Sequence, residues 1–400
     1  MVNVKIESFF PENIKSALNN EPPGEWMPLL PDGCIRLSSG YPASALVPAE
    51  QLKTAVTNLL EEEQDLPLHY LGSPSISKLK QQIQARLSER NISISNEELL
   101  ITAGACQAID LIARILLDNT AVVAVESPTY MEAIEIFKNY TENFISIPVD
   151  KNGLQTDLLE KVLAERKRNG LTLPRFLYTI PTFQNPTGTT MAAERKKHVL
   201  ELASKYNFLI LEDDAYGELS FHKNLKPLKA YDKEGRVLHV GSLSKVVAPG
   251  MRIGWIAGSS ELITALAWFK KDLDHPFAQA TMAVYLENTN FEERLQHLTN
   301  TYQAKCGVLL SALEQFLPES VTWYVPEGGY FVWVKIPGVD TSQMLTEALS
   351  VGVSYIPGKY FFLDQKDGIE FLRLSFSYED EANIISGIQK LGKVINSILV

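Results

Sequence analysis

Apolar runs of six or seven residues alternate with helix-length amphipathic segments through the middle of this 400-residue chain. Amphipathic segments at 105–118 and 191–207 lie between such runs. The runs themselves, rich in β-branched and other apolar residues, are 98–103, 121–126, 144–149, 175–181, 208–214, 237–242 and 252–258. Near-continuous apolar strands separated by helices are typical of a mostly parallel sheet that is covered on both faces. The pattern therefore predicts an α/β fold with a seven-stranded, mostly parallel sheet.

The pattern changes near residue 290. A long helical stretch at 291–317 leads into the strand-like segments 321–325 and 328–336, then FLRLSFS at 371–377 and a closing helix from about Glu379. A chain of this length suits two domains. We therefore expect a large domain at 46–290 and a smaller α+β domain in which residues 1–45 join residues 291–400.

Composition limits the partners and the cellular location. The formal net charge of −11 argues against nucleic acid as a main partner, because a phosphate backbone attracts basic surfaces. No apolar run approaches the roughly 20 residues that span a bilayer, and the N-terminus lacks the features of a secretory signal. Cys34, Cys106 and Cys306 are scattered, which favours free thiols in a reducing compartment. These features predict a cytoplasmic protein without membrane contacts.

Polar and glycine residues follow the predicted strands at their carboxyl ends. The segments are AGACQ, ESPTY, PTFQNPTG, EDDAY and GSLSK, which end at residues 107, 130, 188, 216 and 245. In open α/β sheets ligands bind at this edge. Lys245 stands there among serines and apolar residues, and an interior lysine is normally paired, neutralised or chemically used. Taken alone, a surface lysine at a strand end remains the alternative interpretation.

Four motifs in this order resemble the class I/II aminotransferases, which are pyridoxal-phosphate enzymes of fold type I. They are NPTG at 185–188, DDAY at 213–216, SLSK at 242–245 followed by PGMRIGW, and RLSFS at 373–377. The spacing resembles the subgroup of 2-aminoadipate and aromatic aminotransferases, which also includes the aminotransferase-like half of GntR/MocR regulators. The resemblance covers nearly the whole chain and implies pyridoxal 5′-phosphate as the cofactor.

The resemblance assigns the catalytic groups. Lys245 matches the lysine that forms a Schiff base with the cofactor and then moves a proton between substrate and cofactor. Asp213 matches the carboxylate that keeps the pyridine nitrogen protonated, so that the ring can accept electrons. Tyr216 and Asn185 match the two groups that hydrogen-bond the phenolic oxygen of the cofactor. A helix N-cap is the alternative for an aspartate after a strand, and Asp214 is the better candidate for that cap.

The resemblance also places a phosphate site at the start of the helix predicted from residue 105. Unpaired N–H groups and the helix dipole favour an anion at such an end. The subgroup commonly has a Gly-Ser-Gln-like triplet where this chain has Gly-Ala-Cys, so the backbone must contribute more here. The predicted phosphate ligands are Gly104, Ala105, Cys106, Ser242, Ser244 and Arg252.

Five further residues are assigned through the resemblance to cofactor, substrate or subunit contacts, and Asn185 is also predicted to contact the substrate. Tyr130 matches the aromatic side chain that stacks on the pyridine ring, and a core tyrosine is its alternative. Arg373 matches the group that binds the substrate α-carboxylate, for which a structural ion pair is the alternative. Gly40 matches a family glycine beside the substrate, so Tyr41 and its neighbours are predicted to line the side-chain pocket. Tyr70 matches the tyrosine that reaches the phosphate of a neighbouring subunit, which implies a homodimer.

The sequence thus predicts a ping-pong aminotransferase that moves an amino group between an L-amino acid and a 2-oxo acid. A pyridoxal-phosphate-dependent lyase or another carbanion-diverting enzyme is the nearest alternative, because the same ring stabilises all these intermediates. A non-catalytic effector-binding regulator domain is disfavoured, because residues 1–45 are too short for a winged helix and linker. Aromatic residues near Tyr41 and Tyr130 slightly favour a substrate with a non-acidic side chain.

Overall fold

The computed structural model describes residues 6–19, 22, 24, 26, 29–222, 225–271 and 275–399. In these ranges the strands are β1 (Ile35–Arg36), β2 (Leu99–Thr102), β3 (Val122–Ser127), β4 (Asn143–Asp150), β5 (Gly153–Leu154), β6 (Phe176–Thr179), β7 (Leu209–Asp213), β8 (Val237–Ser242), β9 (Gly254–Ala257), β10 (Thr322–Trp323), β11 (Phe331–Lys335), β12 (Val353–Ser354), β13 (Ile356–Pro357) and β14 (Phe371–Ser375).

In the middle of the chain, α-helices alternate with the strands along the sequence. The α-helices of the same ranges are α1 (Glu12–Ala17), α2 (Ala49–Glu63), α3 (Ser75–Glu89), α4 (Ala105–Leu116), α5 (Met131–Lys138), α6 (Thr156–Arg168), α7 (Ala193–Tyr206), α8 (Ser260–Phe269), α9 (Pro276–Glu287), α10 (Phe291–Phe316), α11 (Thr341–Ser350) and α12 (Glu381–Leu399). Helices α4, α7 and α10 confirm the segments that apolar spacing predicted. Within the described ranges, none of the helices combines the length and hydropathy needed to cross a bilayer.

A mixed sheet of eight strands forms the centre of the molecule, in the order β2-β9-β8-β7-β6-β3-β4-β5. Strands β8, β7, β6, β3 and β4 run parallel to one another, whereas β9 is antiparallel to both of its neighbours. All seven predicted strands are present, and the mostly parallel α/β architecture is confirmed. The eighth strand, β5, has two residues, which is too short to show a pattern in the sequence.

Both faces of this sheet are buried, as the continuous apolar runs predicted. Val123 and Val125 of β3 pack into a core with helices α4, α5 and α8. Val122 and Ala124 of the same strand point into a second core, with helices α6 and α7. Successive side chains of a strand face opposite sides, so an apolar residue is required at every position. The loops at the carboxyl ends of the strands are consequently held on a rigid support.

A separate antiparallel sheet, in the order β10-β11-β14-β13, comes from the last third of the chain. Arg373 in β14 pairs with Trp333 of β11 and with Ile356 of β13. Near the N-terminus, β1 pairs with β12 in a short parallel ladder, so the early chain joins the late chain. We retain domain boundaries at 46 and 290 as a proposal.

Candidate active site

Two adjoining cavities contain most of the predicted site residues. The sheet-edge cavity, of about 250 Å³, is the one that Asp213, Ser242 and Arg252 help to line. The arginine cavity, of about 230 Å³, is the one that Arg36 and Arg373 help to line. Six residues line both cavities: Tyr41, Tyr130, Glu132, Asn185, Tyr216 and Lys245.

Lys245 lies in the turn after β8, between the two cavities. Its Nζ donates a hydrogen bond to the Gly40 carbonyl oxygen at 2.8 Å and lies 5.6 Å from the centre of the Tyr216 ring. Burial lowers the pKa of Lys245 to about 8, and the like charge of Arg373 contributes in the same direction. About a tenth of this amine is therefore neutral at pH 7, far more than for an ordinary lysine, and a nucleophilic amine must be neutral.

Asp213 ends β7 and is 5% exposed. Its Oδ2 accepts a hydrogen bond from the Tyr178 hydroxyl at 2.8 Å, whereas its Oδ1 is buried without a partner among the described residues. Burial raises the pKa of Asp213 to about 6, and the neighbouring charge of Asp214 adds to the rise. An unpaired buried carboxylate oxygen is costly, so this atom is available to a donor that enters the cavity.

The interpretation of Asp214 as a helix cap is wrong. Turns follow β7 at residues 215–218, and no helix starts there. The carboxylate of Asp214 instead forms a buried ion pair with Arg90. Asp213 and Asp214 therefore have different environments, although they are adjacent in the chain.

The beginning of α4 faces the sheet-edge cavity through a close contact with Arg252. Gly104, with φ of +90°, precedes the first residue of the helix. A Cβ atom on Gly104 would lie 2.6 Å from Nη2 of Arg252, so glycine allows the guanidinium to approach. Arg252 Nη2 also donates to the Ala103 carbonyl oxygen at 3.0 Å. A fixed cation beside free helix N–H groups forms an anion-binding corner.

Hydroxyl groups complete this corner. The Ser242 hydroxyl lies 2.9 Å from Oγ of Ser244, and the Ser244 backbone N–H donates to Oγ of Ser242 at 3.1 Å. Cys106 lines the same cavity, but its thiol donates to Oε2 of Glu132 at 3.2 Å. The Cys106 side chain is thus engaged elsewhere, in line with the expectation that the backbone carries more of the anion contact here.

Arg373 is 4% exposed and enters the arginine cavity from β14. Its Nη1 donates to Oδ1 of Asn185 at 2.8 Å, and its Nη2 donates to the Ser38 carbonyl oxygen at 3.0 Å. Its Nε is buried without a partner, and its guanidinium lies 4.1 Å from the Phe331 ring centre. No carboxylate of the described residues lies within ion-pair distance of Arg373, which argues against the structural ion pair. Burial lowers its pKa to about 10.

The tyrosines predicted for the site separate into two groups. Tyr130 and Tyr216 line both cavities, and Tyr41 is 51% exposed at their edge. Tyr70 is 83% exposed and lines neither cavity of the single chain. Its predicted contact with a second subunit stays a prediction.

Several polar residues of the site were not predicted from the sequence: Tyr178, Glu132, Arg36, Ser38 and Ser39. Tyr178 lies inside an apolar strand, where only the fold reveals that its hydroxyl meets Asp213. Glu132 lines both cavities from the first turn of α5, two residues after the predicted Tyr130. A charged residue so close to a predicted site residue was a usable signal. Apolar walls of the arginine cavity were also missed: Trp26, Leu30, Met131, Phe331 and Ile356.

The fold and this arrangement of groups define a fold-type-I pyridoxal-phosphate enzyme. The chain belongs to the class I and II aminotransferases, whose family model matches residues 32–391. It is 39% identical over 367 residues to aromatic-amino-acid aminotransferase 1 of Thermococcus litoralis, covering 90% of this chain and 88% of that protein. It is 32% identical over 371 residues to an uncharacterized HTH-type transcriptional regulator, YisV of Bacillus subtilis, covering 92% of this chain and 74% of the regulator.

A solved structure resembles the whole chain. The kynurenine aminotransferase of Pyrococcus horikoshii, solved in complex with PMP, superposes with a TM-score of 0.89 at 36% sequence identity, covering 99% of each chain. The predicted family, fold and cofactor are thereby confirmed: this chain is a pyridoxal-phosphate-dependent aminotransferase, a transferase of nitrogenous groups.

The residues present fit that cofactor. Oδ1 of Asp213 is a buried acceptor without a partner, which suits a protonated ring nitrogen. The Lys245 amine lies in the same cavity, and the corner formed by Arg252 and the start of α4 suits a phosphate. The carboxylate, the amine and the cation of this cavity therefore match the ring nitrogen, the aldehyde and the phosphate of the cofactor.

Proposed function

We propose that this chain catalyses ping-pong transfer of an amino group between an L-amino acid and a 2-oxo acid, with Lys245 as its reactive amine. The observation that carries the proposal is the grouping of three buried charged groups around two joined cavities. Lys245 has a neutral fraction, Asp213 has a free oxygen, and Arg373 has no opposing carboxylate. Each group lacks the partner that a substrate or cofactor would supply.

The cofactor's place follows from these groups. Lys245 would hold pyridoxal phosphate covalently, with Asp213 at the ring nitrogen and Tyr130 on the ring face. Asn185 and Tyr216 would contact the phenolic oxygen. The phosphate would lie in the corner formed by Gly104, Ala105, Cys106, Ser242, Ser244 and Arg252. When bound, the cofactor condenses with amines and withdraws electron density from the substrate Cα.

The protein groups bind the substrate and move its proton. Arg373 binds the α-carboxylate in a fixed orientation, because Asn185 and the Ser38 carbonyl hold its guanidinium. The Lys245 amine, whose pKa is lowered to about 8, would accept the proton that leaves the substrate Cα and would hold it for return to the reacting system. Asp213 keeps its negative charge beside the ring nitrogen.

We infer that the substrate has a non-acidic side chain. The arginine cavity is walled by apolar and aromatic groups, including Trp26, Leu30 and Ile356. Such walls favour an apolar or aromatic side chain, because apolar surface is removed from water on binding. The names of the related aromatic-amino-acid and kynurenine aminotransferases support the same substrate class.

We further propose that the protein is a cytoplasmic homodimer. Tyr70 is 83% exposed, and the neighbouring Leu68 and Leu71 are also exposed, which forms an apolar patch suited to a subunit contact. In the dimer, Tyr70 would reach the phosphate held by the partner subunit. Mixing a Tyr70→Phe chain with a Lys245→Ala chain tests this sharing, because mixed dimers then contain one site with both defects and one site with neither. Restored activity on mixing supports shared sites, and an activity that is only the average of the two variants rejects them.

The central experiment maps the covalent bond. Holoenzyme is reduced with borohydride and digested, and we expect the cofactor-derived mass on the peptide that contains Lys245. A label on another lysine, or none on fully loaded protein, rejects the assignment. Lys245→Ala should keep the fold and abolish turnover.

A second measurement separates transamination from lyase chemistry. Holoenzyme is mixed with single amino acids, and we expect stoichiometric 2-oxo acid with loss of the cofactor's aldehyde absorbance and without ammonia. Catalytic release of ammonia with retention of that absorbance would favour the lyase.

A further inference from the structure

The backbone turn that carries Lys245 ends in carbonyl groups that need donors from elsewhere. The turn covers residues 243–247, and the backbone N–H groups of Val246 and Val247 donate to the Leu243 carbonyl oxygen at 3.3 and 2.8 Å. At the end of a helical turn the last carbonyl groups have no partner within the turn itself. Here those carbonyl groups belong to Lys245 and the two residues that follow it.

Two side chains from the late part of the chain bind these three carbonyl groups. The Tyr330 hydroxyl donates to the Lys245 carbonyl oxygen at 2.8 Å. Arg294, in the first turn of α10, donates from Nε to the Val246 carbonyl oxygen at 2.7 Å and from Nη2 to the Val247 carbonyl oxygen at 3.5 Å. A cationic donor suits the end of a helical turn, because carbonyl groups there carry partial negative charge.

Arg294 also links this turn to the early part of the chain. Its Nη2 donates to the Leu46 carbonyl oxygen at 3.0 Å. The Lys245 amine donates to the Gly40 carbonyl oxygen at 2.8 Å. Gly40 and Leu46 belong to one segment that precedes α2, so the backbone and the amine of Lys245 are both fixed relative to that segment. The position of the amine therefore depends on both attachments.

The hydrogen bonds of Arg294 go to backbone carbonyl groups rather than to an acid. Among the described residues, no carboxylate lies within ion-pair distance of its guanidinium, and no buried nitrogen of Arg294 is left without a partner, in contrast to Nε of Arg373. Burial lowers the pKa of Arg294, and the nearby Tyr285, Tyr302 and Tyr330 oppose this effect. Arg294 is thus a buried cation whose hydrogen bonds orient backbone groups.

Tyr330 contacts the active site from the same side. It is 1% exposed, and its ring centre lies 5.4 Å from that of Tyr216 in an edge-on arrangement. Tyr216 in turn lies 5.6 Å from Nζ of Lys245. Since the single proton of the Tyr330 hydroxyl is donated to the Lys245 carbonyl oxygen, this hydroxyl accepts from Tyr302, 3.2 Å away. A chain of two hydroxyl groups therefore ends on the backbone of Lys245.

We propose that Arg294 and Tyr330 are positioning residues that fix the backbone of Lys245, so that its amine stays in reach of the reacting atoms. The proposal rests on the proposed function, since it concerns the reactive amine of that site. Neither residue lines the two cavities, so both act through Lys245. A misplacement of about 1 Å in a reacting group can cost about 10²-fold in rate. Substrate binding at Arg373 does not depend on this turn.

The first test uses Arg294→Ala in the pyridoxal-phosphate-loaded enzyme. We expect kcat to fall by about 10²-fold, whereas the affinity for 4-methylpentanoate, a leucine analogue without the amino group, should stay within about twofold. Ethylguanidinium, which replaces the deleted atoms, should restore at least about tenfold of the lost rate at non-denaturing concentrations. Propylammonium is the matched control, because it has the charge but not the planar fork, and it should restore little.

The second test measures the covalent capture of pyridoxal phosphate by the apoenzyme and does not depend on turnover. Tyr330→Phe removes one hydroxyl and keeps the ring. It should slow capture at Lys245 about fivefold, as expected from one lost hydrogen bond. Tyr355→Phe is the matched control, because the buried Tyr355 hydroxyl donates to the Thr341 carbonyl oxygen at 2.5 Å and lines neither cavity. Its capture rate should equal that of the wild type.

The outcomes separate this proposal from the proposed function. A kcat of Arg294→Ala near that of the wild type overturns the positioning role, and so does an affinity for 4-methylpentanoate that falls as much as kcat. A folded variant that ethylguanidinium does not rescue overturns it too. If Arg294→Ala does not fold, equal capture rates in Tyr330→Phe and Tyr355→Phe overturn it. If no amino acid is transaminated but Tyr330→Phe slows capture, the proposed function fails and the positioning of Lys245 stands.

Discussion

Asp213 and Arg373 are buried charges of opposite sign, and both are held by neutral hydrogen-bond partners. Asp213 is held by the neutral Tyr178 hydroxyl, and Arg373 by the neutral Asn185 amide oxygen and a backbone carbonyl oxygen. Each also keeps one buried polar atom without a partner among the described residues. Neutral partners orient a charge without cancelling it, so each group retains its capacity for an ionic ligand.

The adjacent Asp214 differs in having an ionic partner, although its Oδ1 is likewise buried without a hydrogen bond among the described residues. Its carboxylate forms a buried ion pair with Arg90, and a second pair, Arg86 with Glu218, lies nearby. Breaking such a pair is strongly destabilising, because it leaves an uncompensated buried charge. The comparison teaches that pairing distinguishes charges that support the fold from those that await a ligand, even between consecutive residues.

The largest expected effect separates the two aspartates. Asp213→Asn should lower kcat/KM by roughly 10²–10³-fold, because a charge positioned at the reacting system is lost. Its free energy of unfolding without cofactor should stay the same or increase, since a costly buried charge is removed. Urea denaturation of the apoenzyme and initial rates of transamination measure the two quantities.

Asp214→Asn is the matched control for that experiment. It leaves the Arg90 guanidinium buried without its carboxylate, so we expect a loss of about 3–5 kcal/mol of stability. Equal stability of the two variants, or near wild-type activity in Asp213→Asn, would contradict the distinction between ion-paired charges that stabilise the fold and unpaired charges that bind a ligand.

Arg373→Leu is expected to have the next largest effect. It should raise the KM for amino acids by roughly 10²-fold, because the substitution removes the guanidinium that is proposed to bind the α-carboxylate. Arg373→Lys keeps the positive charge but cannot form the bidentate contact. Its KM should lie between that of Arg373→Leu and that of the wild type. Steady-state kinetics give the answer, and an unchanged KM in Arg373→Leu removes the assigned role.

The pH dependence of cofactor capture probes Lys245 directly. Since its pKa is lowered to about 8, its neutral fraction rises between pH 6.5 and pH 8, and the rate of covalent cofactor capture by the apoenzyme should rise roughly 15-fold. Arg373 contributes to the lowered pKa, so Arg373→Leu should move this rise to higher pH. Stopped-flow absorbance follows the reaction. A rate that increases only above pH 10 would mean that burial does not shift this amine.

Tyr178→Phe should have the smallest effect. The Tyr178 hydrogen bond lowers the pKa of Asp213 and opposes the effect of burial, so its removal raises that pKa above about 6. Activity should fall about fivefold, as expected for about 1 kcal/mol from one hydrogen bond. The loss should be larger at pH 6 than at pH 8, because Asp213 must be ionised. A pH-independent loss would indicate a general packing defect.

The sequence predicted the large sheet well and the contacts across the molecule poorly. Continuous apolar runs identify strands that are buried on both faces, and the carboxyl-end rule then brings Asp213 and Lys245 to one edge. The hydrogen bond from Lys245 to the Gly40 carbonyl oxygen depends on how the early chain joins the late one. The strands that join them, β1 and β12, have two residues each and show no periodicity.

Local rules failed where long-range pairing decides the environment. Asp214 follows a strand as a helix cap does, but its partner Arg90 lies 124 positions away in the chain. Glu132 occupies a helix first turn, where an acidic residue is ordinary, and its two donors emerge only after α4 and α5 pack together. Residue spacing in a single sequence does not reveal such tertiary contacts between distant segments.

The antiparallel pairing of β8 with β9 has a consequence for how this enzyme can vary. Ser242 and Gly254 are paired across the two strands, which closes a loop that contains both Lys245 and Arg252. The reactive amine and the cation beside the start of α4 are therefore tethered to the same two fixed ends. An inserted or deleted residue would displace both at once, so the length of this loop is itself a functional property that no single side-chain exchange can restore.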